Sequence, residues 1–479
     1  APAGAAAPVC PAARRPPVRS FDPKPGAPRV FAIQFKQDPA NVASYSAFAR
    51  AVDCVMRREV VPYRARRRPN VVVFDEDIGL MTIATGRRGA AARALLATHG
   101  GVAGCGRQGF PCATLEALTR LDSAYAKPIA FYKRRFPTLA GLIGKSFVAA
   151  TDVFVRGFMQ TFSGLARRYG VYVVASNTQA PFRASSGSAD IAALADPSLP
   201  RPRSVYVATE GVAYNQTFIW GPRNVRRSGP PSERNLLRAN RKVPLTTFER
   251  VLGFGSGPTT GPAAAANLRP YRLAGTRARL GIATSLPAFV YGPPVAAGQA
   301  CDDVTLTYMR CLSSLGANVM LQPDANDGAW TGPDSDPSEM WQPLSWMGSA
   351  WRAVSDPTVG FQYAVNPFLV GNLADTPFDG QSAILQRGLT GRGCNYVGNS
   401  AFVPAEDRAS LKSDAGPKSE FLALAPWVVG DGPRNALRAV NAKLLFASGS
   451  PSENAYRQTA VVADLPFPAN RHRRSCATR

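Results

Sequence analysis

With 479 residues, 45% of them hydrophobic, the chain has enough apolar side chain for one large or two ordinary folded domains, which excludes a disordered or fibrous protein. Its 56 Lys and Arg against 32 Asp and Glu leave a net charge of +24, which predicts weak attraction to anionic surfaces. Only nine of those cations are lysine, and the two densest basic runs, Arg64–Arg68 and Arg471–Arg474, lack the interleaved aromatics of a nucleic-acid platform, so no specific nucleic-acid partner is expected.

Residues 1–27, rich in Pro, Ala and Arg, read as an extended arm. The opening APAGAAAP resembles sequence just after a signal-peptidase cut and predicts a secreted or extracytoplasmic protein. A strand RVFAIQF, a helix over NVASYSAFARAVDCVMRREV and a strand PNVVVFDEDIGL follow, and that rhythm predicts an α/β core. From about 87 to 165 the pattern is mostly helical, interrupted by the Gly-rich HGGVAGCGRQGFPC. Strands resume at GVYVVAS, SVYVATEGVAYNQTFIWGP, ARLGIATS and ANVMLQPDAN, the last preceded by a helix over DVTLTYMRCLSSLG. Beyond 390 the chain turns irregular, with one helix near PRNALRAVNAKLLFA and a basic tail, so 28–390 reads as the domain and 391–479 as a C-terminal extension packing on it. No apolar run reaches the length of a membrane span.

Eight cysteines, with Cys105–Cys112 and Cys301–Cys311 the most economical local pairs, are compatible with disulfides in an oxidising compartment. There is no CxxC, and the only histidines are His99 and His472, so neither a metal nor another cofactor is expected. Three tempting motifs fail on mechanism. LAGLIGKS has Leu139 where a phosphate loop needs its first glycine, GFGSGP ends in proline instead of opening a helix, and neither histidine suits a serine–histidine–aspartate triad. Asn215-Gln216-Thr217 matches a glycosylation sequon.

Three segments at the ends of predicted strands carry usable chemistry. Glu76 follows the apolar run VVVF; Lys242, in a chain poor in lysine, abuts an apolar stretch and precedes Glu249; Ser285 closes RLGIATS. In order and flanking pattern these resemble the nitrilase, or carbon–nitrogen hydrolase, superfamily. Phe74-Asp75-Glu76 is similar to its Phe-Pro-Glu motif, Lys242, Leu245 and Glu249 to its lysine motif, and Gly281 through Ser285 to its strand closing on cysteine. The later Gly316-Ala317-Asn318 and Asn326-Asp327-Gly328-Ala329-Trp330 resemble the strand and loop that follow.

That resemblance implies an α/β fold: an αββα sandwich with a helical insertion at 87–165, paired in homodimers into a four-layer αββααββα assembly. It also implies a small amide or acyl substrate, with Glu76 as general base, Lys242 as oxyanion partner, Glu249 as a second acid positioning substrate, and Asn326, Asp327 and Trp330 in substrate binding. The family's nucleophile is a cysteine, and Ser285 stands in its place, followed by Leu286-Pro287. Three readings stay open: an amide hydrolase or acyl transferase working through serine, a binding protein that keeps the fold without turnover, and an envelope-attached structural protein whose basic surface holds anionic polymers.

Overall fold

A strand with apolar side chains on both of its faces must be covered on both, and RVFAIQF is such a strand. In β2 (Arg29–Lys36), Val30 and Ala32 enter one core, while Phe31, Ile33 and Phe35 enter another on the opposite face. Parallel to it run β3 (Asn70–Val73) and, beyond that, β4 (Tyr172–Gln179), which divide their side chains in the same way. A register slip of one residue would exchange the two sets and misfit both cores at once. The computed structural model describes residues 10, 16–97, 112–139, 141, 143–296, 298–330, 342–390, 420–426, 434–446 and 448–475.

Around this centre the first sheet has the order β1 (Val18–Ser20), β17 (Thr459–Asp464), β2, β3, β4, β7 (Tyr214–Trp220) and β8 (Leu236–Arg241), with β13 (Leu369–Leu373) and β14 (Thr376–Phe378) attached beside β2. The second sheet has the order β16 (Phe421–Leu424), β15 (Ala383–Gln386), β12 (Tyr363–Asn366), β11 (Val319–Leu321), β10 (Arg279–Ile282) and β9 (Tyr271–Arg272). A separate antiparallel ribbon pairs β5 (Phe182–Ser185) with β6 (Val205–Ala208).

The sheets meet face to face. Val30, Val71, Val174 and Ile219 from the first share one core with Leu280, Val319, Val365 and Ile384 from the second. On the outer face of the first sheet, Phe31, Val72, Val173 and Trp220 pack with Phe48, Phe154, Phe158 and Phe162 from its helices. On the outer face of the second, Met320, Ala364 and Leu385 pack with Tyr308, Met309 and Leu312 of the helix Val304–Ser314 and with Ala350 and Ala353 of the helix Gln342–Ser355. The order helix, sheet, sheet, helix is the αββα sandwich that the motifs imply.

Two boundaries differ from the sequence reading. The described residues of 87–165 are mostly helical and supply much of the outer layer themselves, with Leu121, Tyr125, Tyr132, Phe147, Phe154 and Phe158 all in that core. More consequentially, 391–479 is no extension on a finished domain. Its strand β17 lies between β1 and β2, in antiparallel register with β2 from Thr459 opposite Gln34 to Asp464 opposite Arg29, and β16 completes the second sheet. The arm joins in as well, through β1 and through a disulfide from Cys10 to Cys54. Cys301–Cys311 forms the expected local bridge, whereas Cys105 and His99 lie outside the described residues. Among the described residues no helix is long and apolar enough to cross a membrane.

Candidate active site

Strand direction brings the chemistry to one rim. Parallel β3 delivers Asp75, Glu76 and Asp77 at its C-terminal end; β7, antiparallel to β4, begins at that rim with Tyr214 and Asn215. Strand β8, antiparallel to β7, ends there and passes straight into Lys242, whose backbone N–H donates to the Asn215 carbonyl at 2.8 Å. From the opposite sheet, parallel β10 and β11 end in Thr284-Ser285 and in Pro323-Asp324.

The centre is a buried cluster of opposite charges. Lys242 Nζ lies 2.7 Å from Glu76 Oε1 and 3.0 Å from Glu249 Oε2. Asn215 Nδ2 donates to Glu76 Oε1 and to Glu249 Oε1, both at 2.8 Å, so one amide ties the two carboxylates together. Carboxylates only accept, which fixes this amide with its NH2 toward them. Glu249 also belongs to a capping box: Thr246 Oγ1 accepts from the Glu249 N–H at 3.1 Å, and Glu249 Oε2 accepts from the Thr246 N–H at 2.8 Å. The short helix Thr247–Val251 therefore sets the angle at which Glu249 enters the site.

The two glutamates are driven apart in acidity. Burial pushes the Glu76 carboxyl up, the Lys242 charge opposes this, and the negative Glu249 adds to it, with the net direction upward. At Glu249 burial is outweighed by the Lys242 charge and the Thr246 N–H, and the carboxyl sits below its ordinary value. Burial would lower the Lys242 ammonium, but Glu249 and Glu76 more than reverse that and hold it protonated. Glu249 is thus a fixed anion, Lys242 a fixed cation, and Glu76 the member suited to exchanging a proton. Its Oε1 is taken by two donors, while Oε2 is engaged by none among the described residues.

Ser285 is held in an uncommon conformation, φ +58° and ψ −121°, between β10 and the turn Leu286–Phe289. Its N–H donates to the Pro323 carbonyl at 3.0 Å and its carbonyl accepts from Ala288 N–H at 2.9 Å. Its hydroxyl makes no hydrogen bond among the described residues, to Glu76 or otherwise. One polar contact ties the serine's strand to the cluster: Thr284 Oγ1 lies 2.7 Å from Thr217 Oγ1, and Thr217 is two residues along β7, about 7 Å, from Asn215 on the same face.

Further acids surround this centre. Asp77, partly buried and accepting from Thr178 Oγ1 at 3.1 Å, is pushed up to about 8, first by burial and then by the charges of Glu76 and Glu249. Burial likewise holds Asp324 well above the usual carboxylate range, although its Oδ2 accepts from Asn366 at 2.6 Å and Gln322 at 3.0 Å. Of the loop residues assigned to substrate binding, Asn326 is buried and donates to the Gly328 carbonyl at 3.5 Å, and Asp327 is exposed. Trp330 is fully buried in the outer core against Phe368, their rings 5.1 Å apart, and its backbone N–H donates to Asp379.

Sequence reasoning did not single out Asn215 for the site. It noted the position only as a sequon, yet at 1% exposure and bonded to two carboxylates the side chain is closed to glycosylation in the folded chain. The available signal was the change within YNQTFIW from polar to apolar residues on a strand buried along most of its length.

No family model and no curated protein matches the chain. Among solved structures, a variant of an amidase from Nesterenkonia sp. AN1 carrying acrylamide on its active-site cysteine aligns at 12% identity over 75% of this chain and 85% of its own, with a TM-score of 0.34. A second variant of that amidase, described as from the nitrilase superfamily, gives 12% identity over 76% and 84%, with a TM-score of 0.34. Likenesses of this degree carry no argument, and the fold rests on the strand pairing above.

Proposed function

We propose that this chain is an amide-directed carbon–nitrogen hydrolase or acyl transferase of nitrilase type, with Ser285 as nucleophile, Glu76 as proton acceptor, Lys242 as oxyanion partner and Glu249 as the anion that fixes Lys242. The observation that carries this reading is the Glu76 carboxylate, clamped through Oε1 by Lys242 and Asn215 with Oε2 left for proton exchange. In the first step Oε2 takes the serine proton as Oγ bonds to the amide carbon, and the carbonyl oxygen gains the negative charge. An ammonium has three N–H donors; two of those of Lys242 go to glutamates, and the third serves the oxyanion. Collapse expels the amine with the proton held on Glu76, leaving a serine ester; Glu76 then activates a water or another acceptor nucleophile to release the acyl group.

Two disulfides, Cys10–Cys54 and Cys301–Cys311, support an extracytoplasmic site of action. A small neutral amide suits a buried centre in which one cation already faces two carboxylates. The competing reading, a binding protein without turnover, draws on the weak acidity of a serine hydroxyl compared with a thiol and on the lack, among the described residues, of a histidine hydrogen-bonded to it.

Steady-state kinetics on a panel of activated esters and anilides test the reading. Glu76→Gln is expected to lower kcat by about 100-fold or more with the melting temperature little changed. The native rate is expected to fall with acid at a pH above the ordinary carboxylate value, because Glu76 must be ionised and its pKa is raised. A Glu76→Gln enzyme of near-native rate would remove the general base from the account.

A further inference from the structure

The net charge of this chain is concentrated where the totals do not show it. Residues 221–280 contain twelve Arg and Lys against two acids, Glu233 and Glu249, and Lys242 and Glu249 are consumed by the buried cluster. The fold gathers most of the others on one edge of the sandwich, along the loop from β7 into β8 and the hairpin from β9 into β10; β8 and β9 are the terminal strands of their sheets. Arg223, Arg227, Arg269, Arg272, Arg277 and Arg279 are all exposed, and none of them forms an ion pair among the described residues. Elsewhere the protein pairs its arginines readily, as Arg29 with Asp464, Arg156 with Asp152 and Arg168 with Asp53.

Two depressions open along this edge. One, of about 600 Å³, is lined by Gly26, Arg272, Gly275, Arg277 and Phe467 among others; the second, of about 380 Å³, includes Tyr172, Arg223, Val225, Leu237 and Tyr271. Strand β9 contributes to both, Arg272 to the first and Tyr271 to the second, so they are neighbours on one surface. The rings of Tyr172 and Tyr271 are 6.1 Å apart.

We infer that this edge binds a linear acidic polysaccharide. Guanidinium groups are planar forks that match carboxylates and sulfates with paired hydrogen bonds, and six of them without acidic partners repel one another until an anion arrives. Two adjoining depressions, each with arginine, fit successive units of a chain better than a single small anion, and the tyrosine rings and Phe467 offer apolar faces to sugar rings. A nucleic acid is disfavoured: its bases need separated aromatic platforms, whereas these tyrosines pack against each other. The disulfides also match the compartment in which acidic glycans are met. This surface is independent of the proposed catalytic function.

The test uses the full chain with heparin oligosaccharides, polygalacturonate, neutral dextran and single-stranded DNA, titrated in increasing salt. The triple variant Arg272→Ser/Arg277→Ser/Arg279→Ser is compared with Arg50→Ser/Lys133→Ser/Arg134→Ser, which removes the same charge from other exposed positions. The edge variant is expected to bind at least one of the acidic glycans about tenfold or more weakly and with a shallower salt dependence, the control variant to stay within about twofold, and dextran not to bind. Equal losses in both variants would mean diffuse attraction and overturn the site. Tighter binding of DNA through the same arginines would make it a nucleic-acid surface, and no binding of either glycan would leave the arginines as guards against edge-to-edge strand pairing.

Discussion

At Ser285 the backbone lies at φ +58° and ψ −121°, where a side chain costs roughly 1–3 kcal/mol and glycine almost nothing. Ser285→Gly is therefore expected to melt higher than Ser285→Ala, by the equivalent of about 1 kcal/mol; equal melting points would show that the surroundings impose no strain there. Asp77, at φ +55°, suits Asn, which tolerates that region and can still accept from Thr178. Its folded pKa of about 8 exceeds the unfolded value of about 3.9, so the folded state holds a proton that the unfolded state lacks, and stability falls as pH rises from about 4 to about 8. Asp77→Asn should thus match the native chain near pH 4 and exceed it at pH 8, by up to about 5 kcal/mol, in urea titrations; a constant difference at both pH values would contradict this. Glu76, Lys242 and Glu249 were legible because motif order is written along the chain. Asn215, Asp77 and Asp324 were not singled out, since what distinguishes them is burial beside other charges, which only the packed sheets create.

Among the elements, the central strands could be read from their continuous apolar runs, and the helix Val304–Ser314 from its spacing. Strand β17 could not. TAVVAD is a short run beyond a long irregular stretch, and nothing local says that it pairs with residues more than four hundred positions earlier. Its end is locked by charge: Asp464 receives Arg29 at 2.9 Å and Arg68 at 3.0 Å, and these arginines hold its carboxyl below the ordinary range against the effect of burial. Asp464→Ala leaves Arg29, itself nearly buried, without its anion and is expected to cost about 3–5 kcal/mol in chemical denaturation. A loss below about 1 kcal/mol would make β17 a peripheral strand after all.

At the scale of the molecule, two sheets of different strand order bring their strand ends to one rim, so a buried carboxylate, a cation and a strained serine from distant segments share one end of the sandwich. The α/β class was legible in the strand and helix rhythm and the layer order only through the motif resemblance; in the structure, side chains alternating between two cores on each sheet account for it. The partition into domain and extension was not, because a chain whose last strand lies inside its first sheet has no such boundary. What most directly tests the account is intact mass after incubation with small amides, esters and activated acyl donors, on the native chain, Ser285→Ala and Ser285→Cys. The expected result is an acyl adduct on the native chain, absent from Ser285→Ala and present on Ser285→Cys. An adduct on Ser285→Cys alone, or on none of the three, would contradict serine as the working nucleophile.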